Sequence, residues 1–188
     1  EGEETVLSLA RTGITEATQG IAFRSGDSIV ARPASPPASI EHPLPFIPRD
    51  IGAQDIRGAS AYIETHRGCS GACTFCQVPR FFGHTIRSRE IPAIIEEVKA
   101  FKNAGARRLS ISGGTGSLYK TKDGKVNTEA FVELLAALAG VMGRENVSSP
   151  DIRVDCINDE VLEAIRKYTI GWVFFGVDHR APPAAVLE

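Results

Sequence analysis

From Ala59 to Asp178 the chain alternates between two kinds of apolar pattern, and this alternation restricts its fold more than any other feature. "ASAYIETH" (59–66), "ARRLSIS" (106–112), "DIRVDCI" (151–157) and "GWVFFGVD" (171–178) read as strands. Between them lie three helical patterns. In "IPAIIEEVKAFKNAG" (91–105), Ile91, Ile94, Ile95, Val98 and Phe101 recur on one face, Pro92 sits in the first turn and Gly105 stops the helix. "TEAFVELLAALAGVMG" (128–143) puts Phe131, Leu134, Leu135 and Leu138 on one face, with Thr128 as the expected cap. "NDEVLEAIRKY" (158–168) starts at a capping Asn158 and ends in a basic turn. Four strands separated by three helices imply an α/β fold with a parallel sheet and right-handed crossovers. The expected architecture is a partial (β/α) TIM-like barrel cut off after the fourth strand, which the unbroken apolar run of 171–178 would place buried on both faces. Function in such barrels gathers at the carboxyl ends of the strands. There lie a cysteine loop, "GGTG", Asp155-Cys156 and Asp178.

The region before Ala59 is of another kind. Residues 1–12 read as a helix with Val6, Leu7 and Leu9 on its buried side, and "GIAFRSGDSIVAR" (20–32) reads as a hairpin turning at Ser25-Gly26-Asp27. Six prolines between Pro33 and Pro48 exclude a central strand or helix. That stretch is expected to be an extended linker pinned by Leu44, Phe46 and Ile47. The division that follows is 1–32, 33–58, a core at 59–178 and an irregular tail at 179–188. The chain opens without a methionine, and it is expected to be a fragment.

A net charge of −2 gives no reason to expect a general polyanion binder. No apolar run approaches the roughly 18 residues of a membrane span, and no signal peptide is visible, so the expected compartment is the cytoplasm. Three of the four cysteines, Cys69, Cys73 and Cys76, stand within "HRGCSGACTFCQVPRF". That is poor arithmetic for a disulfide framework and natural for a metal centre. Thiolates suit soft metals and iron–sulfur clusters, and a four-iron cluster held by three sulfurs keeps one iron open to a ligand. Alternatives are a zinc site completed by His66 or His84, and a redox pair of Cys73 and Cys76. Cys156 is expected to be a small buried apolar residue in a strand.

"CSGACTFC", with an aromatic before its last cysteine, resembles the CxxxCxxC signature of radical S-adenosylmethionine (radical SAM) enzymes, and the resemblance runs over roughly 59–178. It implies a 4Fe-4S cluster on Cys69, Cys73 and Cys76, with S-adenosylmethionine on the open iron, cleaved reductively to a 5′-deoxyadenosyl radical. It also implies that "GGTG" stands where the family has a GGE motif contacting the cofactor's amino group. Gly113 and Gly114 match, whereas Thr115 replaces the glutamate and brings a hydroxyl without charge. Phe75 would shield the cluster or simply pack. Arg153 and Asp155, alternating around Val154, would face the barrel mouth, and Asp178 would meet the ribose; a surface position or a structural salt bridge is the plainer reading of these three. No catalytic residue is assigned. The run from Arg80 through His84, Arg87 and Arg89 reads as a solvated basic loop or a phosphate contact.

The flanks "EGEETVLSLA", "GIAFRSGDSIV" and "PLPFIPRDI" resemble the connection between a cobalamin-binding domain and the radical domain in B12-dependent radical SAM methyltransferases. This implies cobalamin in the full-length protein and methylation of an unactivated carbon. "ETHRGCSGACTFCQVPRFFG" is also similar to members from methanogenic archaea, including those acting on a glutamine of methyl-coenzyme M reductase. The same core looks like that of methylthiotransferases acting on tRNA or a ribosomal protein. Those carry three further cysteines upstream, and residues 1–68 hold none. A non-catalytic zinc-binding module is the third reading. The implied partners are a reducing protein such as a ferredoxin or flavodoxin and a protein or small-molecule substrate, with no membrane, and nucleic acid only for a methylthiotransferase.

Overall fold

A computed structural model describes residues 1–34, 39–56 and 58–176. The chain forms two compact units, Glu1–Ser39 and Ile40–Glu188.

In the first unit, helix α1 (Glu3–Thr12) precedes a hairpin of β1 (Ala22–Ser25) and β2 (Ser28–Ala31). Ser25 pairs with Ser28 across Gly26-Asp27, and Gly26 takes a left-handed φ of 59°. The turn is where the sequence put it, because only glycine adopts that φ without strain. The expected buried side of α1 is wrong: Val6 and Leu7 are exposed, and Thr5 is buried instead. Its Oγ1 donates to the Gln19 carbonyl at 3.1 Å. A side chain on Gly20 would meet that oxygen at 2.7 Å, so Thr5 fills the space that glycine leaves.

The second unit contains β3 (Ala61–Glu64), β4 (His66–Arg67), α2 (Val78–Phe82), β5 (Arg87–Ser88), α3 (Ile91–Asn103), β6 (Leu109–Ser112), α4 (Thr128–Met142), β7 (Ile152–Arg153), α5 (Asp159–Tyr168) and β8 (Phe175–Gly176). β3 and β6 pair in parallel, with Ala61 opposite Leu109 and Glu64 opposite Ser112. Parallel bridges Leu109–Val147 and Ser148–Ile170 carry the order onward, and β7 pairs in parallel with β8. The strand segments therefore neighbour one another in chain order, as successive right-handed βα units require. β4 and β5 form a separate antiparallel pair beside the cysteine loop.

The helices pack where their apolar period directs. Ile94, Val98 and Phe101 of α3 join Ile63, Leu109, Leu134 and Leu138 in one core cluster. Phe131 and Leu135 of α4 join Ile152, Val161 and Ile165 in a second. A helix whose face is this apolar must bury it against the sheet or a neighbour, and α4 serves both clusters.

Several local expectations need correction. Asn127, not Thr128, caps α4, its Oδ1 accepting from the Ala130 amide, while Thr128 Oγ1 accepts from Asn158 Nδ2. Asn158 caps α5 as expected. The third strand is shorter than read: Ile152–Arg153 gives way to a 3₁₀ turn at Val154–Cys156. The fourth run is not buried on both faces within the described residues, since Trp172 is 91 % and Phe174 65 % exposed. β8 has β7 on one side, and among the described residues no strand pairs on the other. In the proline-rich stretch, Leu44 and Phe46 are exposed while Ile47 packs against the core and Ile40 is buried. Polar contacts complete the attachment: Glu41 Oε1 accepts from the Glu90 amide at 2.7 Å, at the entry to α3.

Candidate cofactor site

The cysteine loop begins where β3 ends. The chain passes through Thr65 into β4 and turns at Gly68, whose φ is 97°. Cys69 follows, buried, with its Sγ 3.4 Å from the Gly71 amide and 4.0 Å from Thr115 Oγ1. Its own amide donates to the Gly83 carbonyl at 3.3 Å. Cys73 and Cys76 are half-buried, and the Cys76 amide donates to the Cys73 carbonyl at 3.1 Å. All four cysteines are free thiols. Among the described residues, no three His, Cys, Asp or Glu side chains are gathered closely enough to hold a metal ion. The donor set still suits an iron–sulfur cluster, being three unpaired thiols in one irregular loop with no disulfide competing for them.

"GGTG" lies directly against this loop. A side chain on Gly114 would meet the Gly68 carbonyl at 2.6 Å and Cys69 Cβ at 2.9 Å, and one on Gly113 would meet the His66 ring at 2.6 Å. The resemblance places these glycines against the cofactor; here their first requirement is packing against the cysteine loop. Thr115 is buried, and Gly116 donates to the Asp151 carbonyl at 2.9 Å. Ser117 Oγ donates to the Cys156 carbonyl at 2.7 Å. The loop after β6 is therefore a wedge between the cysteine loop and the turn after β7. Ser112, Gly113 and Gly114 also line two small cavities of about 160 and 60 Å³. A larger one of about 460 Å³ opens beside Tyr62, Ser110, Asp151 and Trp172.

Arg153 and Asp155, chosen for the barrel mouth, come together as an ion pair. The Arg153 guanidinium also lies beside the thiols of Cys69 and Cys156. Burial lowers its proton affinity, but Asp155 and the two thiols outweigh that and raise it. Cys156 is buried as expected, though in the 3₁₀ turn rather than a strand, with its Sγ 3.6 Å from Asp155 Oδ1. Burial, followed by the Asp155 charge, pushes its thiol up to about 12. It is a neutral packing group at ordinary pH. Phe75 is 67 % exposed, and Asp178 lies outside the described residues.

Two residues stand elsewhere than their sequence context suggests. His66 is fully buried and has neither ring nitrogen to spare: Nδ1 is 3.0 Å from Thr65 Oγ1, and Nε2 is 3.0 Å from the Thr115 carbonyl. Burial lowers its pKa to about 4 against the raising effects of the Thr115 bond and of Glu64, so the ring is neutral. It is not a zinc ligand in this arrangement. Arg89 is no part of a solvated basic loop. It is buried, donating to Glu97 at 2.5 Å and to the Glu64 carbonyl at 3.1 Å. The glutamate that pairs with it sits on the apolar side of α3, and that misplaced charge was the available signal.

Residues 63–185, more than half of the chain, match the sequence model of the radical SAM superfamily. The chain belongs to the radical SAM superfamily. A protein of Methanocaldococcus jannaschii that carries the provisional name methylthiotransferase is 57% identical over 160 residues, 85% of this chain and 35% of that protein. A tRNA-2-methylthio-N(6)-dimethylallyladenosine synthase of Acidithiobacillus ferrooxidans is 31% identical over 107 residues, 57% of this chain and 24% of its own. Among solved structures, the radical SAM methyltransferase TsrM of Kitasatospora setae, with tryptophan and a SAM analogue bound, superimposes with a TM-score of 0.65. That match covers 96% of this chain and 37% of TsrM at 15% identity, which establishes likeness of fold. The chain thus spans about a third or less of the proteins it resembles. Its fold is α/β and radical SAM-like, and a radical SAM enzyme works with a 4Fe-4S cluster, S-adenosylmethionine, a reductant and a substrate. No helix among the described residues is long and apolar enough to cross a membrane.

Proposed function

We propose that Cys69, Cys73 and Cys76 hold the 4Fe-4S cluster, that Gly113, Gly114 and Thr115 receive S-adenosylmethionine, and that this chain is the radical-generating part of a cobalamin-dependent methyltransferase. The observation that carries the site is the packing of the cysteine loop on "GGTG", with Cys69 against Gly114 and Thr115. When bound, the cluster and S-adenosylmethionine supply a 5′-deoxyadenosyl radical that abstracts a substrate hydrogen. The protein's own task is to hold, orient and exclude water. Thr115 offers a hydroxyl and the wedge loop offers backbone groups to the cofactor's polar end. Arg153 offers a positive charge beside the sulfur of Cys69, where it balances part of the negative charge of a thiolate-ligated cluster. Phe75, exposed and next to Cys76 in the chain, would shield the bound cluster from water. Asp155 fixes Arg153 through their ion pair, and Asp178 is assigned to the ribose. Electrons come from a ferredoxin or flavodoxin.

Support for methylation comes from the flanking sequence and from a fold match extending over 96% of the chain, beyond the residues matched by the family. TsrM itself has been solved with cobalamin and a 4Fe-4S cluster bound. Methylthio transfer to tRNA or a ribosomal protein is the second reading. The names of the relatives favour it, including the 57% identical one. Iron analysis and absorbance of the whole protein separate the two: one cluster with cobalamin supports methylation, and a second cluster without cobalamin supports methylthio transfer.

The site is tested by anaerobic reconstitution with iron and sulfide, reduction, and electron paramagnetic resonance with and without S-adenosylmethionine. The expected result is a cluster signal that changes on adding the cofactor and is lost in Cys69→Ala. Zinc bound in place of a cluster would overturn the assignment.

A further inference from the structure

His66 is buried at the point where three pieces of backbone meet, and its ring is fixed from several sides. Thr65 Oγ1 engages Nδ1 and the Thr115 carbonyl accepts from Nε2, each at 3.0 Å. Tyr119 stands edge-on, with ring centroids 6.4 Å apart. The fourth side is Gly113, where a Cβ would approach three ring atoms at 2.6 to 2.9 Å. A neutral ring with Nε2 protonated satisfies both bonds at once, its Nδ1 accepting from the threonine hydroxyl.

We infer that His66 is a positioning residue for the loop Gly113–Thr115, locking that loop to the start of the cysteine loop and thereby holding it in the conformation that receives S-adenosylmethionine. The inference rests on the assignment of that loop to the cofactor, proposed above. Thr115 brings no charge to the cofactor's ammonium group, so the contact depends on how well the neutral groups of the loop are aimed. The His66 bond fixes the Thr115 carbonyl, and the Thr115 hydroxyl then lies on the Cys69 side, 4.0 Å from the sulfur. A loop ordered before binding gives up less freedom when the ligand arrives. The histidine acts through Thr115 and does not itself touch the ligand.

The side-chain amide nitrogen of glutamine can stand in for Nε2 and donate to the Thr115 carbonyl, while asparagine is too short to reach it. The experiment compares wild type, His66→Gln, His66→Asn and Gly113→Ala, all full chain and reconstituted anaerobically. Affinity for S-adenosylmethionine is read from the cofactor-induced change in the cluster's paramagnetic signal, and iron content is measured in parallel. The expected result is unchanged iron in all four, wild-type-like affinity in His66→Gln, and affinity at least tenfold weaker in His66→Asn and Gly113→Ala. A nitrogen-15 histidine spectrum of the protein before reconstitution should show the Nε2-protonated neutral ring of His66. Equal affinities across the series, equal loss in the glutamine and asparagine variants, or the other tautomer would overturn the positioning role. A wild-type signal indifferent to S-adenosylmethionine would instead overturn the cofactor assignment of the loop, and this role with it.

Discussion

The wedge of Gly113–Thr115 against the cysteine loop and the stretch from Ile170 to Phe175 are opposites in packing. In the wedge, the backbone lies so close to the His66 ring and to the cysteine loop that two glycines have no room for a methyl group, and His66 and Thr115 are buried with their polar groups paired. Along the other stretch, Trp172 and Phe174 stand largely in the open beside a cavity of about 460 Å³. Polar side chains are locked in the interior at one place and large apolar ones are exposed at the other. The comparison teaches that a parallel sheet invests its specificity where loops cross at strand ends, while apolar content alone says little about where a strand's neighbours lie.

The most destructive way to test the locked side is to remove a buried charge from it. Arg89 ties the end of β3 to α3 through the Glu64 carbonyl and Glu97. Arg89→Met leaves Glu97 buried without its guanidinium partner, with His42 Nε2 3.9 Å away. Unfolding by urea should show a loss of about 3–5 kcal/mol, the cost of an uncompensated buried charge. The double variant Arg89→Met/Glu97→Leu should recover most of it, because a well-packed apolar pair costs no desolvation. If the single variant loses less than 1 kcal/mol, solvent reaches the pair and this side is not locked.

A smaller effect is expected from protons. The folded pKa of His66, about 4, lies below its unfolded value near 6.5, so between those limits the unfolded chain binds more protons. The stability that His66 contributes as a buried neutral ring is complete above pH 6.5 and declines as pH falls towards 4. The total is about 3 kcal/mol, from 1.36 kcal/mol per unit. Carboxylates add their own acid dependence, so the measurement is the difference between wild type and His66→Gln over that range. Parallel curves would mean that the ring already meets water in the folded state.

What the sequence made legible follows from range. The faces of α3 and α4 came from side chains three and four residues apart, which one helix sets by itself, and every apolar position named on them is buried or half-buried. The chain order of the strand segments followed from the alternation alone. The cap of α4 was missed by one place because Asn127 and Thr128 are both competent caps, and only the turn geometry chooses. The cysteine loop was legible as a set of donors, and the glycines as a loop. That the two press on each other, with His66 between them, was not. It depends on the meeting of residues some 49 positions apart in the chain, such as His66 and Thr115. Arg89 hid in a basic run although its partner Glu97 stands only eight positions on, because the pairing appears only once α3 turns that glutamate inward.

The smallest effect is expected on the open side. Trp172 is 91 % exposed, and its truncation removes almost no buried area. Trp172→Ala should therefore change the free energy of unfolding in urea by no more than about 0.5 kcal/mol, as surface substitutions generally do. It should also remove the chain's one tryptophan, so unfolding must then be followed by circular dichroism. A loss of 2 kcal/mol or more is the magnitude of a buried aromatic. It would mean that the indole is covered in solution, and the contrast between the two regions would fail on its open side. A null effect together with intact cofactor binding would place the determinants of the site in the locked wedge.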